Sequence, residues 1–162
     1  KMLEEYEKDC HTGMDILEIA EMIDDYTGGY PFLVSRICKL IDENMQESST
    51  GCGNHQVWTK SQAWTKEGIL SAIRKLLAER NTLFESLTEK LDHYPELERI
   101  LHMLLFEGKT VPFNEDSKVI ALASMFGLVK NRESNVAIAN RIFETRLYNR
   151  FLSVAELQES AI

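Results

Sequence analysis

Apolar residues recur every three or four positions along most of this chain, and the runs are separated by glycine, proline and Ser/Asn-rich stretches. Ile16, Ile19, Ala20, Ile23 and Tyr26 predict an amphipathic helix. Asp15 stands where an N-cap belongs, and Glu18 three residues later completes a capping box. Gly28 and Gly29 end that helix, because glycine reaches positive φ without the cost a Cβ imposes. Pro31 suits the first position of the next helix, about Pro31 to Met45, which carries Leu33, Ile37, Leu40 and Ile41 on one face. Together these make a helical hairpin. Residues 47–56 are rich in Ser, Gly and Asn and read as a loop. Thr59 or Thr65 caps a helix with Ile69, Leu70, Ile73, Leu76 and Leu77. Asn81 and Thr82 mark a boundary before a helix with Leu83, Phe84, Leu87 and Leu91, which breaks at His93-Tyr94-Pro95.

From Pro95 the pattern changes. Leu97, Ile100, Leu101, Leu104 and Leu105 form a helical stripe that stops at Gly108. Thr110-Val111-Pro112-Phe113 is a short extended piece whose proline restricts it to a sheet edge. Asn114 or Asp116 caps a helix with Val119, Ile120, Leu122, Ala123 and Phe126, ended by Gly127. Leu128–Lys130 and Val136–Ala139 read as two strands around a polar turn over 131–135. Asn140 caps a helix containing Ile142, Phe143, Leu147, Tyr148 and Phe151. Ser153 with Glu156 forms a further capping box, so a separate short helix is expected over 153–162.

Length and composition fit one ordinary domain or two small ones: 162 residues, 44% hydrophobic and 27% charged. No apolar run is long enough to span a membrane, and the start has no signal-peptide pattern. A chain that begins at Lys1 is expected to be a piece of a longer one. The formal charge of −8 lies entirely in residues 1–50, which hold twelve acidic and four basic side chains; residues 51–162 hold fourteen of each. Such a balance argues against strong non-specific binding to DNA. Three cysteines, Cys10, Cys38 and Cys52, make no disulfide framework and point to a reducing, cytoplasmic setting. Cys38 reads as a small buried hydrophobe.

Several residues invite a chemical role. Cys10-His11 and Cys52 with His55 offer metal donors, but only as an incomplete half-site. No activated nucleophile or paired acid and base is legible. His93 and His102 read as packing or surface residues, and Trp58 and Trp64 as rings that pin a loop to the core. Lys130 and Arg132, with Arg141, Arg146 and Arg150, form a modest basic strip diluted by Glu133 and Glu144. The helix near 115–126 has only Lys118 as a cation, with Glu115 and Asp116 at its start. Asn114 and Ser117 there can hydrogen-bond but neutralise no phosphate. DNA is therefore disfavoured as a partner relative to protein.

The turn Tyr26-Thr27-Gly28-Gly29-Tyr30-Pro31-Phe32-Leu33-Val34, within the run Met14 to Glu43, resembles the nucleotide-facing turn in the helical lid of bacterial AAA-like and STAND-type ATPases. Asn81-Thr82-Leu83-Phe84 is similar to the same region. Met125–Asn131 and Val136–Glu144 resemble the carboxy-terminal winged helix of those proteins. The resemblance covers about residues 14–152. It implies a mainly α protein: a helical lid subdomain over 1–80, a connecting helix over 81–93, a winged-helix domain with a small β-hairpin over 94–152, and the terminal helix. It further implies that ATP is held by an amino-terminal P-loop domain, whose Gly-rich loop this sequence lacks. That domain would be the chain's first partner, and a protein partner of the winged helix its second. Gly28, Gly29, Tyr30 and Pro31 would lie against the nucleotide, and Arg36 would reach its γ-phosphate; the plainer role for Arg36 is a surface ion pair with Asp24 or Asp25. By this reading the chain alone needs no cofactor and hydrolyses nothing, while the parent is an ATPase.

Overall fold

The structure is a computed structural model that describes residues 1–46 and 60–160. It is mainly helical with one small antiparallel sheet. The chain divides into two compact units, residues 1–79 and 80–162.

The first unit holds α1 (Met2–Cys10), α2 (Ile16–Thr27), α3 (Pro31–Gln46), α4 (Lys60–Ala63) and α5 (Lys66–Ala78). Asp15 caps α2, its side chain accepting from Glu18 N at 3.1 Å. Thr65 caps α5 by accepting from Gly68 N; Thr59, the other expected cap, lies outside the described residues, as do Cys52, His55 and Trp58. The face predicted for α3 is the core: Leu33, Ile37, Leu40 and Ile41 are buried, against Ile19 and Ile23 of α2 and Ile69, Ile73 and Leu76 of α5. Trp64 is buried and packs on the Tyr6 ring at 5.0 Å. Among the described residues, however, its ring N–H has no hydrogen-bond acceptor. Burial and a hydrogen bond to Asp42 raise the Tyr6 phenol well above its ordinary pKa, so Tyr6 stays a neutral donor that ties α1 to α3 at 2.8 Å. Cys38 is half-buried, and desolvation pushes its thiol up to about 11, which keeps it protonated and unreactive at neutral pH.

The second unit holds α6 (Thr82–His93), α7 (Pro95–Phe106), α8 (Lys118–Met125), β1 (Val129–Arg132), β2 (Asn135–Ile138) and α9 (Arg141–Ser160). The helix expected as a connector over 81–93 is α6, and it belongs to this unit. Asn81 caps it by accepting from Phe84 N at 2.9 Å, and Asn140 caps α9 by accepting from Phe143 N at 2.9 Å. Phe84, Leu87 and Leu91 of α6, Leu97 and Leu101 of α7, and Ile142, Phe143 and Leu147 of α9 form the core.

Two expectations fail here. Helix α8 starts at Lys118 after Ser117, not at a cap by Asn114 or Asp116, because the Asn114 side chain accepts from Asp116 N at 2.9 Å and closes its own turn. The separate helix expected from Ser153 does not exist as such: α9 runs unbroken from Arg141 to Ser160, and residues 161–162 lie outside the described region. The Ser153 hydroxyl donates to Asn149 O at 2.8 Å, one turn back along the helix, so it serves as an internal side-chain bond and not as a cap.

The hairpin turn is tighter than the five polar residues suggested. Only Glu133 and Ser134 lie between the strands, with φ of 50° and 66°. Two left-handed residues in a two-residue turn are the type I′ arrangement that favours Asn-Gly. Replacing Glu133→Asn and Ser134→Gly is expected to stabilise the unit by about 1 kcal/mol, since each non-glycine residue in the left-handed region carries a conformational cost. Urea unfolding followed by circular dichroism tests this; an unchanged or lower midpoint contradicts it.

Candidate functional site

The Gly28–Pro31 turn is the feature singled out by sequence, and its geometry follows from five local bonds. Thr27 is fully buried, and its hydroxyl donates to Ile23 O at 2.7 Å while accepting from Gly29 N at 3.2 Å. Gly28 N donates back to Asp24 O at 2.7 Å, closing α2. Tyr30 N donates to Thr27 O at 3.1 Å, and Tyr30 O accepts from Val34 N at 3.0 Å, which starts α3. Gly28 and Gly29 both adopt left-handed φ, 57° and 73°. The tip carries no bulk: Gly28, Gly29 and Pro31 are exposed, Tyr30 is half-buried, and Phe32 beside them leaves 38% of its surface to solvent. A planar ring could approach this backbone closely, beside the exposed ring of Phe32.

Arg36 lies about 7.5 Å further along the helix axis, five residues at the usual rise. Its guanidinium is engaged in a fork with Glu79, Nε to Oε1 at 2.9 Å and Nη2 to Oε2 at 2.7 Å, with Glu43 at 3.7 Å from Nη1. Neither Asp24 nor Asp25 is its partner in this geometry. The fork with Glu79 holds the guanidinium's pKa above its ordinary value and ties α3 to the residue that ends α5. Contact between Arg36 and a phosphate requires that fork to open. Sequence reasoning did not single out Glu79, because it lies 43 residues from Arg36 and only packing brings the two together.

The basic strip is dispersed by its own neighbours. Arg150 Nη2 donates to Asp92 Oδ1 at 2.8 Å, and Glu98 lies 3.9 Å from its Nε. Arg146 lies over the Phe84 ring at 4.6 Å. Lys130 and Arg132 stay exposed on β1. His102 is a packing residue: it stacks on Phe106 at 4.9 Å and meets the edge of Phe151 at 5.3 Å. His93 closes α6 by donating to Glu89 O at 2.7 Å.

Cys10 ends α1, and His11 follows it at φ 50° as the helix cap. Next to them Glu7 collects the Thr12 hydroxyl and the amides of Gly13 and Thr12, which holds its carboxyl below the usual range. Among the described residues no three His, Cys, Asp or Glu side chains converge as a metal site, and no helix is long and apolar enough to cross a membrane. The chain matches no protein-family model, no curated protein and no solved structure.

Proposed function

We propose that this chain is the lid and winged-helix portion of an AAA-like nucleotide-dependent switch. The observation that carries the reading is the exposed turn at Gly28 and Gly29, two left-handed glycines ahead of a proline-started helix. In this reading the turn leans on the base of ATP held by a P-loop domain upstream, and Tyr30 and Pro31 line the contact. Arg36 takes the γ-phosphate only in a state where Glu79 releases it. Nucleotide-dependent contact then shifts the population of lid positions, and the second unit is the output module. That unit has the order expected of a winged helix: α7, the extended piece at 111–113, α8, the β1–β2 hairpin and α9. Its output is a protein contact, because Arg146 and Arg150 are already engaged within the unit and leave too few cations for a DNA backbone. The setting is cytoplasmic, and the chemistry of hydrolysis belongs to the P-loop domain, not to this chain.

The residues encoded ahead of Lys1 give the first test: a Gly-rich loop ending in Gly-Lys-Ser/Thr is expected. In the protein that carries them, Gly29→Val is expected to weaken binding of a fluorescent ATP analogue about tenfold or more, since a β-branched side chain is strained at φ 73° and fills the approach. Undiminished affinity in a folded variant removes the turn from the nucleotide site.

A further inference from the structure

Among the described residues, the small sheet has one occupied edge and one open edge. Val136 N donates to Val111 O at 2.8 Å, and Phe113 N donates to Ser134 O at 2.8 Å, so the piece at 111–113 covers the outer edge of β2. Val136 therefore points its peptide groups away from β1. Asn131 is its register partner, and in an antiparallel ladder the two members of such a pair point outward together. The N–H and C=O of Asn131 thus face the outer side of β1, where no further strand lies among the described residues. Lys130 and Arg132 flank it, two residues apart and hence on one face, both exposed and neither engaged in an ion pair among the described residues.

We propose that this edge of β1 docks an extended peptide with acidic residues at alternate positions. The peptide adds a strand beside β1, its backbone pairing with the outward groups of Asn131 and its acidic side chains meeting Lys130 and Arg132. The charges select the occupant. A second copy of β1 paired antiparallel about Asn131 would set Lys130 against Arg132, and like charges directly opposite destabilise a strand pair. An acidic strand converts the same positions into attraction, so the pattern rejects self-pairing and accepts the complement. Two cations suit a short peptide better than a duplex, which needs several phosphates neutralised. This inference rests on the sheet geometry and stands whether or not the lid turn touches nucleotide.

The test is titration of the whole chain with an acetylated, amidated six-residue peptide of alternating glutamate and valine, read by amide chemical shifts. Shifts centred on 129–132 are expected, with saturable binding. The same peptide with lysine for glutamate is expected to bind at least about tenfold more weakly. Asn131→Pro removes the outward N–H and leaves the ladder to β2 intact, because Asn131 donates nothing to β2; a loss of about tenfold is expected. The variant Lys130→Glu/Arg132→Glu keeps the backbone and is expected to reverse the preference in favour of the lysine peptide, which holds the proposal to account even if the proline variant unfolds. No saturable binding, shifts centred elsewhere, equal affinity for both peptides, or tighter binding of duplex DNA at the same residues would each overturn it.

Discussion

Gly68→Ala is expected to destabilise the first unit strongly, although the same change in an ordinary helix stabilises. Gly68 is a buried position in α5, three residues past its Thr65 cap. In a solvent-facing helix interior, alanine is favoured over glycine by about 1 kcal/mol because it restricts the unfolded chain. Here a Cβ would stand 1.8 Å from Ala63 O and 2.6 Å from Ala63 C. Those atoms are backbone at the end of α4, so no rotamer change relieves the clash. Either α4 moves off α5, which uncovers Ala63 and Trp64, or α5 loses its first turn and its cap. Overpacking of this kind costs about 3 kcal/mol, which exceeds the helix-propensity gain and is a large share of a small unit's stability. Both tryptophans of the sequence lie in residues 1–79, so tryptophan fluorescence in a urea titration reads this unit directly. A midpoint equal to or above that of the parent chain would show that α4 does not sit where the clash requires.

The contrast between Gly68 and Gly28 shows what was legible in the sequence. Gly28, Gly29 and Pro31 announce themselves because their need is local: positive φ and a fixed φ, one after the other. Asp15, Thr65, Asn81 and Asn140 were legible for the same reason, each bonding an amide within three residues. The apolar faces of α3 and α5 were legible through their period. Gly68 carries no such signal, since the atom it must avoid belongs to another element. Arg36 with Glu79, Arg150 with Asp92, and Tyr6 with Asp42 were hidden likewise, each pair being 36 or more residues apart in sequence. The break assigned before Ser153 shows the opposite failure. A serine followed three residues later by glutamate fits a capping box, but nothing stops α9 there, so the serine bonds backward and the helix continues. The charge pattern also misled in one respect: the arginines counted as a strip on α9 face different partners once the helix is packed.

Those partners set up the second large effect, which falls in the other unit. Phe84→Ala is expected to destabilise it by about 3–5 kcal/mol, the usual range for removing a buried aromatic. Phe84 is 2% exposed, lies in the first turn of α6 and belongs to the core with Leu87, Leu97 and Phe143. Its ring is also the platform on which the Arg146 guanidinium rests at 4.6 Å. Truncation therefore opens a cavity and releases a cation at once. Arg146→Met removes the charge while keeping an unbranched apolar stem, and the double variant separates the two contributions. A coupling of about 0.5–1 kcal/mol is expected between the sites, the value of a cation over a ring beyond the area it covers. No tryptophan lies in residues 80–162, so far-UV circular dichroism or amide exchange must report the loss. Tryptophan fluorescence then becomes the informative control: a fluorescence transition left in place while helicity is lost shows that the two units unfold as separate cooperative blocks, and a joint shift shows that they unfold as one. A coupling of zero would show that the Phe84 ring contributes nothing to holding Arg146 in place.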